Sequence, residues 1–393
     1  MKKRKLAGIP MFWCVAAFSA LLAKPPLDRP VYAAGSPAPL ATLPFEESGS
    51  SVFLPVSVNG SRPLWFILDS GAGFCVIDKT RASELGIVPQ GEGQGTGAGA
   101  GPVPYLKLRQ EDVSFKLEPL TFTCDQTIAI DLSQNYAVTG HELEGILGYG
   151  FFQRYVVEID YYARVVRLFA PASFEYRGRG EPVPLLFEKR VPHVKAELTV
   201  PGEPPQSRTL LIDSGSEDAV DDDLILKSKG PKREVTGGVG LGQEYKVTFA
   251  LLGRFQLGSF VLENVPSVAP GVPLIGGEVL RRFTVTFDYG RQRMYLEPNR
   301  HLLDAFEEVE AHGMDLELAP DRRNLRIHDV RKGSPSEKAG LKIGDLITGI
   351  DGTPAADLGL RRAQRLLRRG GQSFRLQIVR DSKPLEILLA PAG

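Results

Sequence analysis

The sequence predicts a mainly β chain: one lobe present in two copies, then a small α+β domain. Three observations carry this. Glycine (42) and proline (30) are both abundant in 393 residues, which suits a turn-rich β protein better than a helical bundle. Residues 146–161 and 274–289 align without a gap, each an apolar-apolar-glycine turn followed by a strand that ends in Asp-Tyr. Residues beyond about 301 repeat neither copy and carry a pattern of their own.

Length allows two or three domains. Hydrophobic content of 42% and charged content of 24% are those of a globular protein. The formal net charge is zero, which argues against a nucleic-acid partner. The start is different. Lys2-Lys3-Arg4-Lys5 precedes an apolar or small run over residues 6–23. This reads as a secretory signal that ends at Ala23 or Ala33. Residues 1–34 are therefore assigned to the signal and the start of a linker, and the protein to the periplasm, the envelope or the exterior. The alternative is an uncleaved anchor, which would be the only membrane contact. Gly8 and Pro10 weaken such a helix. Residues 24–44, rich in proline, alanine and glycine, read as linker.

The first lobe is placed at 45–172 and the second at 181–300. In the first, residues 51–58 and 63–68 read as strands, the latter running into Asp69. Residues 91–101 carry glycine at every second position, and 156–160 and 165–169 read as a closing hairpin. The second lobe repeats this order. Residues 194–200 and 208–212 read as strands, the latter running into Asp213. A glycine-rich stretch follows at 237–242, and a closing hairpin at 283–287 and 293–296. Export permits a bridge between Cys75 and Cys124, and two buried free thiols are the alternative.

The chemistry candidate is the repeated motif Asp69-Ser70-Gly71-Ala72 and Asp213-Ser214-Gly215-Ser216, each directly after a short apolar strand. One such triplet is a common turn. Two, at matching positions of a duplicated unit, are specific. On these residues and the two apolar-glycine turns, 45–300 resembles the pepsin and retropepsin class of aspartic peptidases. The resemblance implies a duplicated two-lobe acid-protease β-barrel fold, with no cofactor or metal and a chain that is catalytic as a monomer. Asp69 and Asp213 would be the catalytic pair. Like charges so close cannot both ionise easily, so the pair would hold one proton between them. The ionised carboxyl would activate a water and the protonated one would donate to the peptide carbonyl. Ser70 and Ser214 would steady the loops, and Gly71 and Gly215 would let backbone approach the pair.

The glycine-rich stretches would form flaps over a polypeptide substrate, with Gly95, Gly97 and Gly99 in one and Gly238 and Gly240 in the other. Tyr105 is a candidate for an aromatic at the flap. Gly333-Ser334-Pro335, with Ala339-Gly340-Leu341 and Gly344-Asp345 after it, resembles the bacterial type of PDZ domain over 308–391. Such a domain binds a peptide by adding a strand to a sheet edge. Gly313-Met314-Asp315-Leu316 would hold the peptide's carboxylate, although Asp315 would repel it. Asp221-Asp222-Asp223 lacks calcium-loop spacing and reads as a helix start, and no histidine pair has metal spacing. Two functions fit this reading: an exported aspartic endopeptidase that docks substrates or partners through its PDZ domain, or a degenerate scaffold that only binds peptides with the cleft and groove.

Overall fold

The computed structural model describes residues 38–97, 101–237, 245–306, 312–369 and 371–391. The expected signal at 1–34 lies outside them. The chain is mainly strand, in four sheets. Among the described residues, no helix is long and apolar enough to cross a membrane.

One six-stranded sheet joins the two copies. Its centre is Val156–Asp160 paired antiparallel with Phe283–Asp288. In the sequence alignment Val157 matches Val285 and Ile159 matches Phe287. In the sheet Val157 pairs with Phe287 and Ile159 with Val285, so each pairing is the image of the other. The pseudo-two-fold axis therefore passes through the pair Glu158–Thr286, where Thr286 Oγ1 donates to Glu158 Oε2 at 3.3 Å. Outside them lie the hairpin partners Val165–Phe169 and Arg293–Pro298. Each is edged by an N-terminal strand of its own copy, Ala41–Pro44 or Glu181–Pro184. All residues of the two central strands are buried, so the sheet is a shared floor with no water-facing side there.

Each copy then builds its own sheet above this floor. In the first, Leu64–Leu68 runs parallel to Gly145–Leu147; in the second, Gln206–Ile212 runs parallel to Leu274–Ile275. These short parallel pairs are apolar on both faces, as a strand buried on both sides requires. The lobes share one hydrophobic core, from Val52 and Phe66 in one to Leu252 and Phe287 in the other. Cys75 and Cys124 form a disulfide with Cα atoms 6.4 Å apart, so the open question of the two thiols is answered by a bridge.

The second lobe carries a short tail. Arg282, 1% exposed, donates from one guanidinium nitrogen to the carbonyls of His301, Leu302 and Asp304, and stacks on Phe306. Residues 301–306 thus pack on this lobe. The C-terminal domain has a separate core, including Leu325, Ile347, Ala363 and Leu376. Its sheet has the edge strand Met314–Leu318, and helix Ala355–Leu367 packs on it. Ser334 caps the turn of helix at Pro335–Lys338, with proline in the first turn where its missing N–H costs nothing.

Candidate active site

The strands that end at Leu68 and Ile212 deliver Asp69 and Asp213 to the floor of the groove between the lobes. Each aspartate is fixed from behind by its parallel neighbour: Asp69 N donates to Leu147 O and Asp213 N to Ile275 O, both at 3.0 Å. Each carboxyl then accepts from its own loop. Asp69 Oδ1 accepts from Gly71 N (2.7 Å) and Ala72 N (2.9 Å); Asp213 Oδ1 accepts from Gly215 N (2.9 Å) and Ser216 N (3.1 Å). The two carboxyls lie close enough that each alters the other's proton affinity.

The two serines hold the loops together reciprocally. Ser70 Oγ donates to Ile212 O at 2.7 Å and accepts from Ser214 N at 3.0 Å. Ser214 Oγ donates to Leu68 O at 2.8 Å and accepts from Ser70 N at 3.0 Å. Both serines are fully buried, so four polar groups are satisfied by two hydroxyls. The glycines are needed for closeness. A Cβ on Gly71 would lie 2.7 Å from Asp213 Cγ, and one on Gly215 would lie 2.6 Å from Asp69 Cγ. Beneath them Tyr289 Oη donates to Ser70 O at 3.1 Å.

Electrostatics follow from this packing. Burial pushes Asp69 well above the usual carboxylate range, and the charge of Asp213 adds to it. Burial also raises Asp213, against the backbone amides that favour its charge. Both residues keep part of their surface exposed. Burial and the neighbouring aspartates push the Tyr289 phenol well up.

The candidate flap residues are placed unevenly. Gly95 lies in strand Gly91–Thr96, which pairs with Pro102–Leu108; Gly97 follows that strand. Gly99, Gly238 and Gly240 lie outside the described residues. Tyr105 sits opposite Gly93, where a Cβ would come 2.4 Å from the ring, and faces Phe74 at 6.0 Å. An apolar patch with Phe53, Ile67, Val103 and Ile128 lies beside this pair. In the second lobe Lys232–Gly237 pairs with Tyr245–Leu257.

In the C-terminal domain, Gly313 has φ +73°, and a Cβ there would meet Ser334 at 2.4 Å. Met314, Asp315 and Leu316 lie in the edge strand, with Asp315 opposite Asp329. Asp222 caps a short 3-10 turn at Asp223–Lys227 through Leu224 N, close to the helix start expected there.

Residues 54–151 match the family described as aspartyl protease, and residues 326–380 match the PDZ domain. The chain carries an aspartyl protease domain and a PDZ domain. Both matches are in keeping with the resemblance drawn from the motifs. The periplasmic pH-dependent serine endoprotease DegQ of Escherichia coli (strain K12) is 35% identical over 66 residues, 17% of this chain and 14% of that protein. HhoA of Synechocystis sp., named as a serine protease, is 30% identical over 77 residues, 19% of each chain. The chain therefore spans less than a fifth of the length of these curated relatives.

Several residues at the site were not singled out from the sequence. Tyr289 and its counterpart Tyr161 close the two aligned stretches, and that position was the available signal. Arg190 is another: it donates to Gly73 O (3.0 Å) and Asp125 (2.8 Å) across the lobes and lies 4.4 Å over the Tyr149 ring. Glu217 and Arg361 pair with each other from different domains, and no local pattern marks them.

Proposed function

We propose that the chain is an exported aspartic endopeptidase, with Asp69 and Asp213 as one catalytic unit. The observation that carries this is the reciprocal serine grip, which sets the two carboxyls against each other across the axis. Raised proton affinity then favours one shared proton at mildly acidic pH. The ionised carboxyl takes a proton from water while the water oxygen adds to the peptide carbonyl carbon. The protonated carboxyl gives its proton to the carbonyl oxygen. The tetrahedral gem-diol then breaks its C–N bond as the amine nitrogen takes a proton from the first carboxyl and one of the two hydroxyls returns its proton to the second, so that a carboxylic acid forms and the pair is left with one proton again.

A serine mechanism at this site is disfavoured. Ser70 and Ser214 are buried and both hydroxyls donate to main-chain carbonyls. Their backing is structural, and neither oxygen faces a base. The Gly91–Thr96 hairpin, with Tyr105 against Phe74, would close over a polypeptide substrate and offer it apolar contacts. The first lobe is assigned to 45–172 together with the edge strand Ala41–Pro44, which the linker reading of 24–44 leaves out, the second to 181–300 with its packed tail, and the PDZ domain to 308–391. Export is supported by the basic and apolar start and by the disulfide, since such bridges persist in oxidising compartments.

The test is digestion of a peptide library by the protein, repeated with Asp69→Ala and Asp213→Ala. Cleavage should be lost in both variants. A protein that cleaves nothing but binds the same peptides would instead be the degenerate scaffold.

A further inference from the structure

A PDZ domain takes a peptide as an added strand at a sheet edge, beside a helix. Here the edge strand is Met314–Leu318 and the helix is Ala355–Leu367, with Gln364 Nε2 donating to Leu316 O at 3.2 Å. This groove is not open. Helix Asn135–Thr139 of the first peptidase lobe packs against the edge strand. Tyr136 packs into the cluster that contains Met314, Leu316 and Leu360, and the Arg322 guanidinium lies 4.3 Å over its ring. Gly140, at φ +68°, ends that helix so closely that a Cβ would stand 3.1 Å from Leu360 Cβ.

The next residue of the PDZ helix reaches further. Arg361 Nε donates to Thr139 O (2.9 Å) and Ser48 Oγ (3.1 Å) in the first lobe, and its guanidinium also pairs with Glu217 in the second. Glu217 follows the Asp213 loop directly. Ser51, which pairs with Ser48 across a hairpin, donates to Gly215 O of that loop at 3.4 Å. One PDZ side chain therefore spans both lobes and ends on the loop that carries a candidate catalytic aspartate.

We propose that helix Asn135–Thr139 latches the PDZ groove shut in cis, that an extended polypeptide with an apolar side chain displaces it, and that this displacement breaks the Arg361 bridge between the lobes. Tyr136 occupies the place of the incoming apolar side chain. The bridge closes that end of the groove between the lobes against a long chain, so groove occupancy favours cleavage of long substrates. The two events are linked, because a ligand that binds only the unlatched state shifts the population towards it. The latch stands on contacts alone; its effect on cleavage rests on the aspartic-peptidase reading.

Binding is measured first, in the full chain carrying Asp69→Asn so that the probe is not cut. The probe is a dye-labelled peptide with an apolar C-terminal residue, read by fluorescence anisotropy. A latched groove lowers apparent affinity by the unlatched fraction, so Tyr136→Ala and Arg361→Ala should each tighten binding by about tenfold. Hydrogen exchange of residues 135–140 should rise when peptide is added to the unsubstituted chain. Unchanged or weaker binding in both folded variants, or no change in exchange at saturating peptide, overturns the latch. Turnover of an unfolded protein is then compared in the active chain, where Arg361→Ala should raise it several-fold. Tighter binding with unchanged turnover overturns the link to the cleft. Tighter binding with no cleavage by any variant, the unsubstituted chain included, sinks the peptidase reading and leaves the latch standing.

Discussion

In the first lobe Ser70 Oγ donates to Ile212 O at 2.7 Å, and in the second Ser214 Oγ donates to Leu68 O at 2.8 Å. The amides that hold Asp69 are matched one for one by those that hold Asp213. Further from the axis the lobes diverge. Only the first has a disulfide. Ser51–Val58 pairs with Phe115–Leu117 as Val191–Thr199 pairs with Tyr245–Leu257, but in the second lobe that partner is one continuous strand, while in the first a 3-10 turn at Gln110–Asp112 separates it from Pro102–Leu108. Tyr289 reaches Ser70 O, while the hydroxyl of its counterpart Tyr161 is buried with no hydrogen-bond partner among the described residues. The lesson is that duplication is kept where two copies must touch each other and relaxed where each meets different neighbours.

The largest test of that symmetry is the carboxyl pair. Asp69→Asn and Asp213→Asn should each lower kcat by roughly a thousandfold or more, and the double variant little further, because the two act as a unit. Clearly unequal losses in steady-state peptide assays would break the equivalence. The same variants should be more stable than the parent at neutral pH. Both carboxyls are raised by folding, so the folded state holds protons more tightly. That preference has no net effect below the ordinary carboxylate value, near pH 4, and becomes a penalty that grows as pH rises from there through the raised folded values. The gain in Tm for each Asn variant should therefore grow from acid to neutral pH and vanish in strong acid.

The glycines come next. Gly71→Ala aims a methyl at Asp213 and Gly215→Ala aims one at Asp69, at 2.7 and 2.6 Å from Cγ. Each should cost on the order of a hundredfold in kcat with both carboxyls still present. Near-normal rates for either would mean that the loops have more room than the symmetric packing gives them.

Smaller effects should be seen in stability. Ser70→Ala and Ser214→Ala each leave a buried amide and a buried carbonyl unpaired, which costs about 2–4 kcal/mol in urea unfolding. The two should agree closely. The tyrosines should not. Tyr289→Phe removes a buried hydrogen bond and should cost about 1 kcal/mol, whereas Tyr161→Phe removes an unpartnered hydroxyl and should be neutral or stabilising. Equal costs would show that Tyr161 finds a partner in solution and that the lobes are more alike than they stand here.

Much of this architecture was legible in the sequence because it repeats. The alignment of 146–161 with 274–289 announced the duplication, while the register of the central strands, Val157 opposite Phe287 and Ile159 opposite Val285, is seen in the fold alone. The two Asp-Ser-Gly loops were visible because a strand, a turn and a glycine are local features that a few neighbouring residues specify. The PDZ segment was readable for the same reason, from turn residues at fixed spacing.

What a sequence cannot carry locally, only the tertiary structure decided. Whether Cys75 meets Cys124 depends on bringing the strand Cys75–Asp78 beside a residue 49 positions away. The Gly91–Thr96 stretch pairs as a strand although glycine has little strand preference, because Pro102–Leu108 is there to receive it. The sequence read 308–391 as a domain beside the lobes; the fold laid its helix against them. No local pattern marks Arg361, and only the packing of Tyr136 into the PDZ groove brings it to Thr139, Ser48 and Glu217. Such contacts join residues far apart in the chain. Their energy depends on where the two lobes and the C-terminal domain come to rest, and no short-range pattern records that.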